Sequence, residues 1–332
     1  HKLVRVLHTL GIVGDVDVGA IPALHATVSL KSLPSGSLVT FEQSSFFSRN
    51  GPDAALPSPR EALTKSAAED PYFKEHINHP PVFFESLGLV VKFGTEPTVT
   101  IAEGQCLWSL RQLLPQVPVP EIYGWIQDGD NTFLYMELVQ GVTLENRWDS
   151  LNRTERVGVC EHLRDIITQL RRLRQDPSDL FLGHINRNPY SDVVFTNGVL
   201  PRAGPFHSVK EFHDWLSAMI RRGKECHWPG VAPEDIPDPY RQLLSDDAAV
   251  VFTHADLHPS NIMVSSESPC RVTALIDWEQ SGWYPDYWEF CKAEYTVDTR
   301  AEWATEYLPQ FLKEPSDSCL DGFATYSKAY GL

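Results

Sequence analysis

No run of eighteen apolar residues occurs in this sequence, so it offers no candidate membrane span. Its six cysteines, Cys106, Cys160, Cys226, Cys270, Cys291 and Cys319, form neither C-x-x-C pairs nor an even ladder. That argues against a zinc site or a disulfide framework and for a reducing compartment, by default the cytoplasm. Cys226 and His227 adjoin without ligand spacing. Basic residues are outnumbered, 28 against 44 acidic ones, for a formal charge of -16. Such a balance disfavours a nucleic-acid backbone or an anionic membrane as partner and suits a cationic one. No internal repeat is visible, no G-x-G-x-x-G occurs, and the opening stretch His1 to His8 carries too much charge for a good signal peptide.

What is present is enough for two lobes with their own cores: 332 residues, 42% of them apolar, with nine tryptophans. The most informative segments lie in the last third. His254-Ala255-Asp256-Leu257-His258-Pro259-Ser260-Asn261 follows the apolar strand Val250-Val251-Phe252, and Ile276-Asp277-Trp278 closes the β-branched run Val272 to Ile276. Between them lie Ile262-Met263-Val264 and a turn-rich stretch, so a hairpin is expected. An antiparallel hairpin brings its outer ends together, which sets Asn261 beside Asp277 at one sheet edge. Two oxygen donors of this kind suit Mg²⁺, which takes one or two carboxylates together with substrate phosphates. Asp256, five residues before Asn261, stands where a carboxylate can orient a substrate hydroxyl. The Asp-x-x-x-x-Asn spacing agrees with the catalytic loop of kinases, in which the aspartate is the base and the asparagine binds metal. Singly, these residues have plainer readings as turn caps and a strand-end carboxylate.

A third signal comes from Leu89 to Gly94, an apolar strand interrupted by Lys92. A buried lysine needs an anionic partner. Glu103 opens a segment, residues 103 to 114, with helical apolar spacing at Cys106, Leu107 and Leu110. In kinases a strand lysine reaches the α- and β-phosphates and pairs with a glutamate on the next helix. An exposed lysine and a solvated glutamate are the bland alternative.

Taken together, His254 to Asn261, Ile276-Asp277-Trp278-Glu279 and Pro285-Asp286-Tyr287-Trp288-Glu289 resemble the aminoglycoside phosphotransferase and choline kinase-like family of small-molecule kinases, in particular its fungal branch. The likeness spans roughly residues 80 to 300 and is strongest in the last third. It implies an α+β, two-lobed protein-kinase-like fold with a small antiparallel-sheet lobe and a mainly helical large lobe. It also implies ATP and Mg²⁺ as cofactors and a small-molecule acceptor. Lys92, held by Glu103, would position the α- and β-phosphates, Asn261 and Asp277 would hold the metal, and Asp256 would be the catalytic base. Phe133 to Gly141 resembles the hinge: Met136 would border adenine, the Glu137 carbonyl would accept from it and the Val139 amide would donate to it. His254 would brace the catalytic loop through backbone bonds. His258 has two readings, a contact to phosphate or a packed supporting role.

After Asp277 there is no Phe-Gly, activation segment or Ala-Pro-Glu anchor, so a polypeptide acceptor has no evident platform. A nucleotide-binding pseudokinase is the alternative, with a protein kinase less favoured. The expected divisions are residues 1–70, an extension of uncertain role; 71–138, the small lobe; and 139–332, the large lobe. Oligomeric state is open. Within the large lobe a helix is expected over Arg156 to Arg174, an extended excursion over Phe181 to Pro205, and another helix over Val209 to Ile220. The excursion and that second helix are where the resemblance puts acceptor specificity. Trp278, Trp283, Tyr284 and Trp288 are either core or a box for a quaternary ammonium, with Asp286, Glu289 and Glu294 as a negative rim or a solvated face. Asn152-Arg153-Thr154 matches a glycosylation acceptor, idle in the cytosol.

Overall fold

Burial alternates along Leu89–Thr95 because successive side chains of a strand point to opposite faces. Leu89, Val91 and Phe93 enter a cluster on one side of the small sheet, with Phe46, Ala62, Phe133 and Tyr135. Val90 packs against the larger core on the other side. Lys92 shares the parity of Val90, so the strand's period alone turns it toward the rest of the molecule.

The structure is a computed structural model that describes residues 25–70, 79–196 and 201–329. Residues 1–24 of the expected extension and 71–78 at the start of the expected small lobe lie outside the described residues, as does the side chain of Cys226. Five strands form the small lobe's antiparallel sheet: β1 (Leu38–Thr40), β2 (Val82–Phe84), β3 (Leu89–Thr95), β4 (Ile122–Asp128) and β5 (Asn131–Glu137). Their spatial order is β1-β4-β5-β3-β2. Helix α1 (Pro59–Glu69), opened by a Ser58–Glu61 capping box, packs on β2. Helix α2 (Ile101–Leu113) covers the inner face with Cys106, Leu107 and Leu110, beginning two residues before the expected start.

Beyond the sheet the chain enters the large lobe through β6 (Val142–Thr143), which pairs with β8 (Ile262–Val264), itself paired with β9 (Val272–Leu275). Gly141 is required at this crossing: its φ is +128°, and a Cβ there would lie 2.3 Å from the Val264 carbonyl oxygen. Strand β7 (Val250–Thr253) pairs with β10 (Gly282–Pro285). Four long helices complete the lobe: α3 (Arg153–Leu170), α4 (Val209–Lys224), α5 (Trp288–Tyr295) and α6 (Asp317–Ala329). The two-lobed, kinase-like α+β architecture expected from the sequence is the one observed.

Two helices of the large lobe differ from expectation in their boundaries, for local reasons. Helix α3 starts earlier because Asn152 and Glu155 form a capping box, so the would-be glycosylation asparagine is a helix cap. It also ends earlier, because Leu173–Arg174 leaves it to pair in parallel with Ala26–Thr27. Helix α4 runs four residues past Ile220, its last turn carrying Arg221, Arg222 and Lys224 as suits a helix C-terminus. The excursion is irregular among its described residues and clipped by bridges from Leu182 to Phe206 and Gly183 to Trp283.

Candidate active site

Lys92 Nζ donates to Glu103 Oε2 at 2.9 Å and to Asp277 Oδ1 at 2.5 Å, and lies 2.9 Å from Glu279 Oε2. Burial alone would lower this lysine's pKa, but the three carboxylates reverse the balance and hold it well above its usual value. Glu103 is only 1% exposed, and burial raises its carboxyl against the opposing pull of Lys92. Burial likewise pushes Glu279 up to about 7, with Lys92 opposing. The cluster therefore needs its ammonium: remove it and three carboxylates face one another in a partly dry site.

The loop after β7 is held by backbone capture. The amides of His254 and Ala255 donate to the two carboxylate oxygens of Glu289 on α5, at 2.8 and 2.9 Å. His254 Nδ1 accepts from the Asp256 amide at 3.2 Å, which leaves Nε2–H to donate to the Ile276 carbonyl at 3.0 Å. One ring thus ties the Asp256 loop to the residue before Asp277, the bracing role expected of it. Asn261 Nδ2 donates to Asp256 Oδ2 at 2.8 Å and to the Asp256 carbonyl at 3.0 Å, while the Asn261 carbonyl accepts from Ile276 N–H at 2.9 Å. The hairpin therefore brings its outer ends together. Burial raises the Asp256 carboxyl pKa, with the Lys292 charge pulling the other way. Ala255 and Asp277 both have φ +64°, an uncommon region for residues with a Cβ, and both sit at the turns that aim this site. His258 Nδ1 bonds Ser260 Oγ at 2.8 Å and accepts from the Ser260 amide, bracing the turn.

A cleft of about 350 Å³ opens between the lobes. Phe83, Val90, Leu107, Met263 and Ile276 give it apolar walls, and the chain from Met136 to Val139 forms one side. Lys92, Glu103, Asn261 and Asp277 line its polar end. Its size and its few convergent polar groups are those of a small-molecule pocket. Leu138 N–H is taken by the Gly88 carbonyl at 3.1 Å. Of the residues expected to contact nucleotide, metal or acceptor, Lys92, Glu103, Met136, Glu137, Val139, Asn261 and Asp277 line this cleft. Asp256 lies beyond it and is joined to it through Asn261.

Several participants were not legible. Glu279 stands in the same Ile-Asp-Trp-Glu motif, and its signal was the second carboxylate two residues after Asp277. Oxygens of Glu103, Asp277 and Glu279 lie within 4.8 Å of one another, close enough to hold a cation. Glu289 is no rim residue: it is buried and spent on the two loop amides. Trp278, Trp283, Tyr284 and Trp288 are buried core, so they form no cage for a quaternary ammonium. Tyr284 stacks on Tyr190 at 4.1 Å and on Trp288 at 5.3 Å. Beyond Asp256 lies a fully buried polar network. Lys292 Nζ donates to Asp192 Oδ1 at 2.7 Å and Gln280 Oε1 at 2.9 Å, while Trp288 Nε1 donates to Asp192 Oδ2 at 2.9 Å.

The model of the phosphotransferase enzyme family matches residues 92–323, and the chain belongs to that family. No curated protein sequence matches it. Among solved structures it is similar to an aminoglycoside-3'-phosphotransferase of type VIII, at 18% identity over 73% of this chain and 84% of that one, with a TM-score of 0.46. It is also similar to an aminoglycoside phosphotransferase from Streptomyces rimosus in complex with ADP and streptomycin, at 17% identity over 76% and 92%, with a TM-score of 0.41. No helix among the described residues is long and apolar enough to cross a membrane.

Proposed function

We propose that this protein transfers the γ-phosphoryl group of ATP, with Mg²⁺, to a hydroxyl of a small molecule. The observation that carries this reading is the convergence of Lys92, Asn261 and Asp277 at one end of a mostly apolar interlobe cleft, with Asp256 hydrogen-bonded to Asn261 on the far side. Adenine would lie against Met136, with the Glu137 carbonyl and Val139 amide as its backbone partners. Lys92, steadied by Glu103, would bind the α- and β-phosphates.

The donor set fits a hard divalent cation. Asn261 commits its amide nitrogen to Asp256, and Asp277 gives one carboxylate oxygen to Lys92, so the remaining oxygen of each is chemically suited to Mg²⁺. When bound there, the ion would offset charge on the phosphates. Asp256 would orient the acceptor hydroxyl and take its proton as the bond from oxygen to phosphorus forms and the bond from phosphorus to the ADP oxygen breaks. His254, Glu289 and Asn261 hold Asp256 in place for that step.

The test is turnover of ATP by the wild type and by Lys92→Ala and Asp256→Asn. A phosphotransferase loses turnover in both variants. A nucleotide-binding pseudokinase has none to lose, and that result would replace this proposal.

A further inference from the structure

Among the described residues, two stretches of chain cross between the lobes. One is the Leu138 to Gly141 connection. The other is residues 25–40, which the sequence left without a role. At its start Ala26–Thr27 pairs in parallel with Leu173–Arg174 of the large lobe, with Val28 N–H donating to the Arg174 carbonyl at 2.9 Å. Val28 and Leu33 are buried in the larger core. At its end β1 adds an edge strand to the small lobe. Gly124 permits that approach, since a Cβ on it would lie 2.4 Å from the Val39 carbonyl oxygen.

Midway, this strap is fastened to helix α2 by one buried side chain. Gln105, 5% exposed, donates from Nε2 to the Pro34 carbonyl at 2.7 Å. Its Oε1 accepts from Asn186 Nδ2 of the large-lobe excursion at 2.8 Å. Nearby, Trp125 Nε1 donates to the Gly36 carbonyl at 2.9 Å. Gln105 lies two residues after Glu103, about 200° around a helix, so α2 is held from opposite sides. Glu103 faces Lys92, and Gln105 faces the strap and the large lobe. A buried amide satisfied at both ends is costly to leave half made.

We propose that residues 25–40 and Gln105 form an interlobe tie that fixes helix α2, and that Gln105 is a positioning residue holding Glu103 against Lys92 before nucleotide arrives. The inference rests on the phosphotransferase reading for its consequence, though not for its geometry. Two variants test it: Gln105→Met, which keeps the volume and removes both bonds, and Asn186→Ala, which leaves the Pro34 bond and removes the large-lobe one, together with the local turn bond from the Asn188 amide to Asn186 Oδ1. Hydrogen exchange of α2 amides, measured without nucleotide, should accelerate about tenfold in Gln105→Met, and its Kd for MgATP by calorimetry should rise by about the same factor. Asn186→Ala should show a smaller effect in the same direction, and the double variant should be no worse than Gln105→Met alone. Unchanged α2 exchange in a folded Gln105→Met protein overturns the tie. Faster exchange with an unchanged Kd overturns the positioning role. If Gln105→Met does not fold, unchanged exchange and Kd in Asn186→Ala overturn the proposal. Absence of MgATP binding by the wild type would instead sink the phosphotransferase reading, and exchange alone would still decide the tie.

Discussion

The two sides of Asp256 are built differently. On one side, where nucleotide is proposed to bind, lies an open cleft, and the proposed roles there follow from short-range pattern: a lysine at fixed parity in a strand, an asparagine five residues after an aspartate, a glycine turn after the connection from the small lobe. On the far side the protein is closed by a dry polar network whose members lie about a hundred residues apart, Asp192 with Lys292 and Trp288. The proposed chemistry sits on local motifs. The shape of the far side rests on tertiary partners that no local pattern announces.

The sharpest way to break that contrast is kinetic. Asp256→Asn should lower kcat for phosphoryl transfer by about 10³-fold while leaving the Kd for MgATP within about threefold, because the side chain lies beyond the cleft lining. Lys92→Ala should do both kinds of damage, weakening nucleotide binding as well as turnover. Equal effects of the two substitutions on MgATP binding would erase the proposed division.

On the far side the expected effect is on stability. Lys292→Met leaves Asp192 buried and unpaired, and should cost about 3–5 kcal/mol in urea unfolding. Lys292→Met combined with Asp192→Asn removes the unpaired charge yet keeps an acceptor for Trp288, and should recover more than half of the loss. A double variant as unstable as the single one would show that the ion pair is not what closes this side.

A smaller, pH-dependent effect belongs to His184, buried where the excursion meets the site. Its Nε2–H donates to the Glu279 carbonyl at 2.8 Å, and its Nδ1 is buried without a partner. Burial brings its pKa from 6.5 down to about 4. The folded state therefore favours the neutral ring. Its contribution is complete above the unfolded pKa and is lost as pH falls through 6.5 toward 4. At about pH 5 the wild type should have lost about 2 kcal/mol through this group, and His184→Gln should lose less over the same range. Parallel pH profiles from thermal melts would refute the assignment.

The parts that were legible share a property: their geometry follows from the backbone. Strand parity aims Lys92, and hairpin closure joins Asn261 to Ile276 and brings Asp277 round. What stayed hidden depends on where distant segments dock. Residues 25–40 show no strong pattern, yet they supply an edge strand and a second crossing between the lobes. Glu289 read as a surface carboxylate because its partners are two backbone amides, which carry no sequence signal, and the distant Arg171. The tryptophans near Asp277 were ambiguous for the same reason, since an aromatic cage and an aromatic core share one composition. Their burial decides for core, and with it goes the structural support for a cationic acceptor at those rings.

The most direct test offers the protein a metabolite extract with ATP and Mg²⁺ and searches by mass spectrometry for a compound that gains a phosphate. The account predicts such a product with the wild type and none above background with Asp256→Asn. An extract unchanged by a wild-type protein that binds MgATP, or a product formed equally well by the variant, would contradict it.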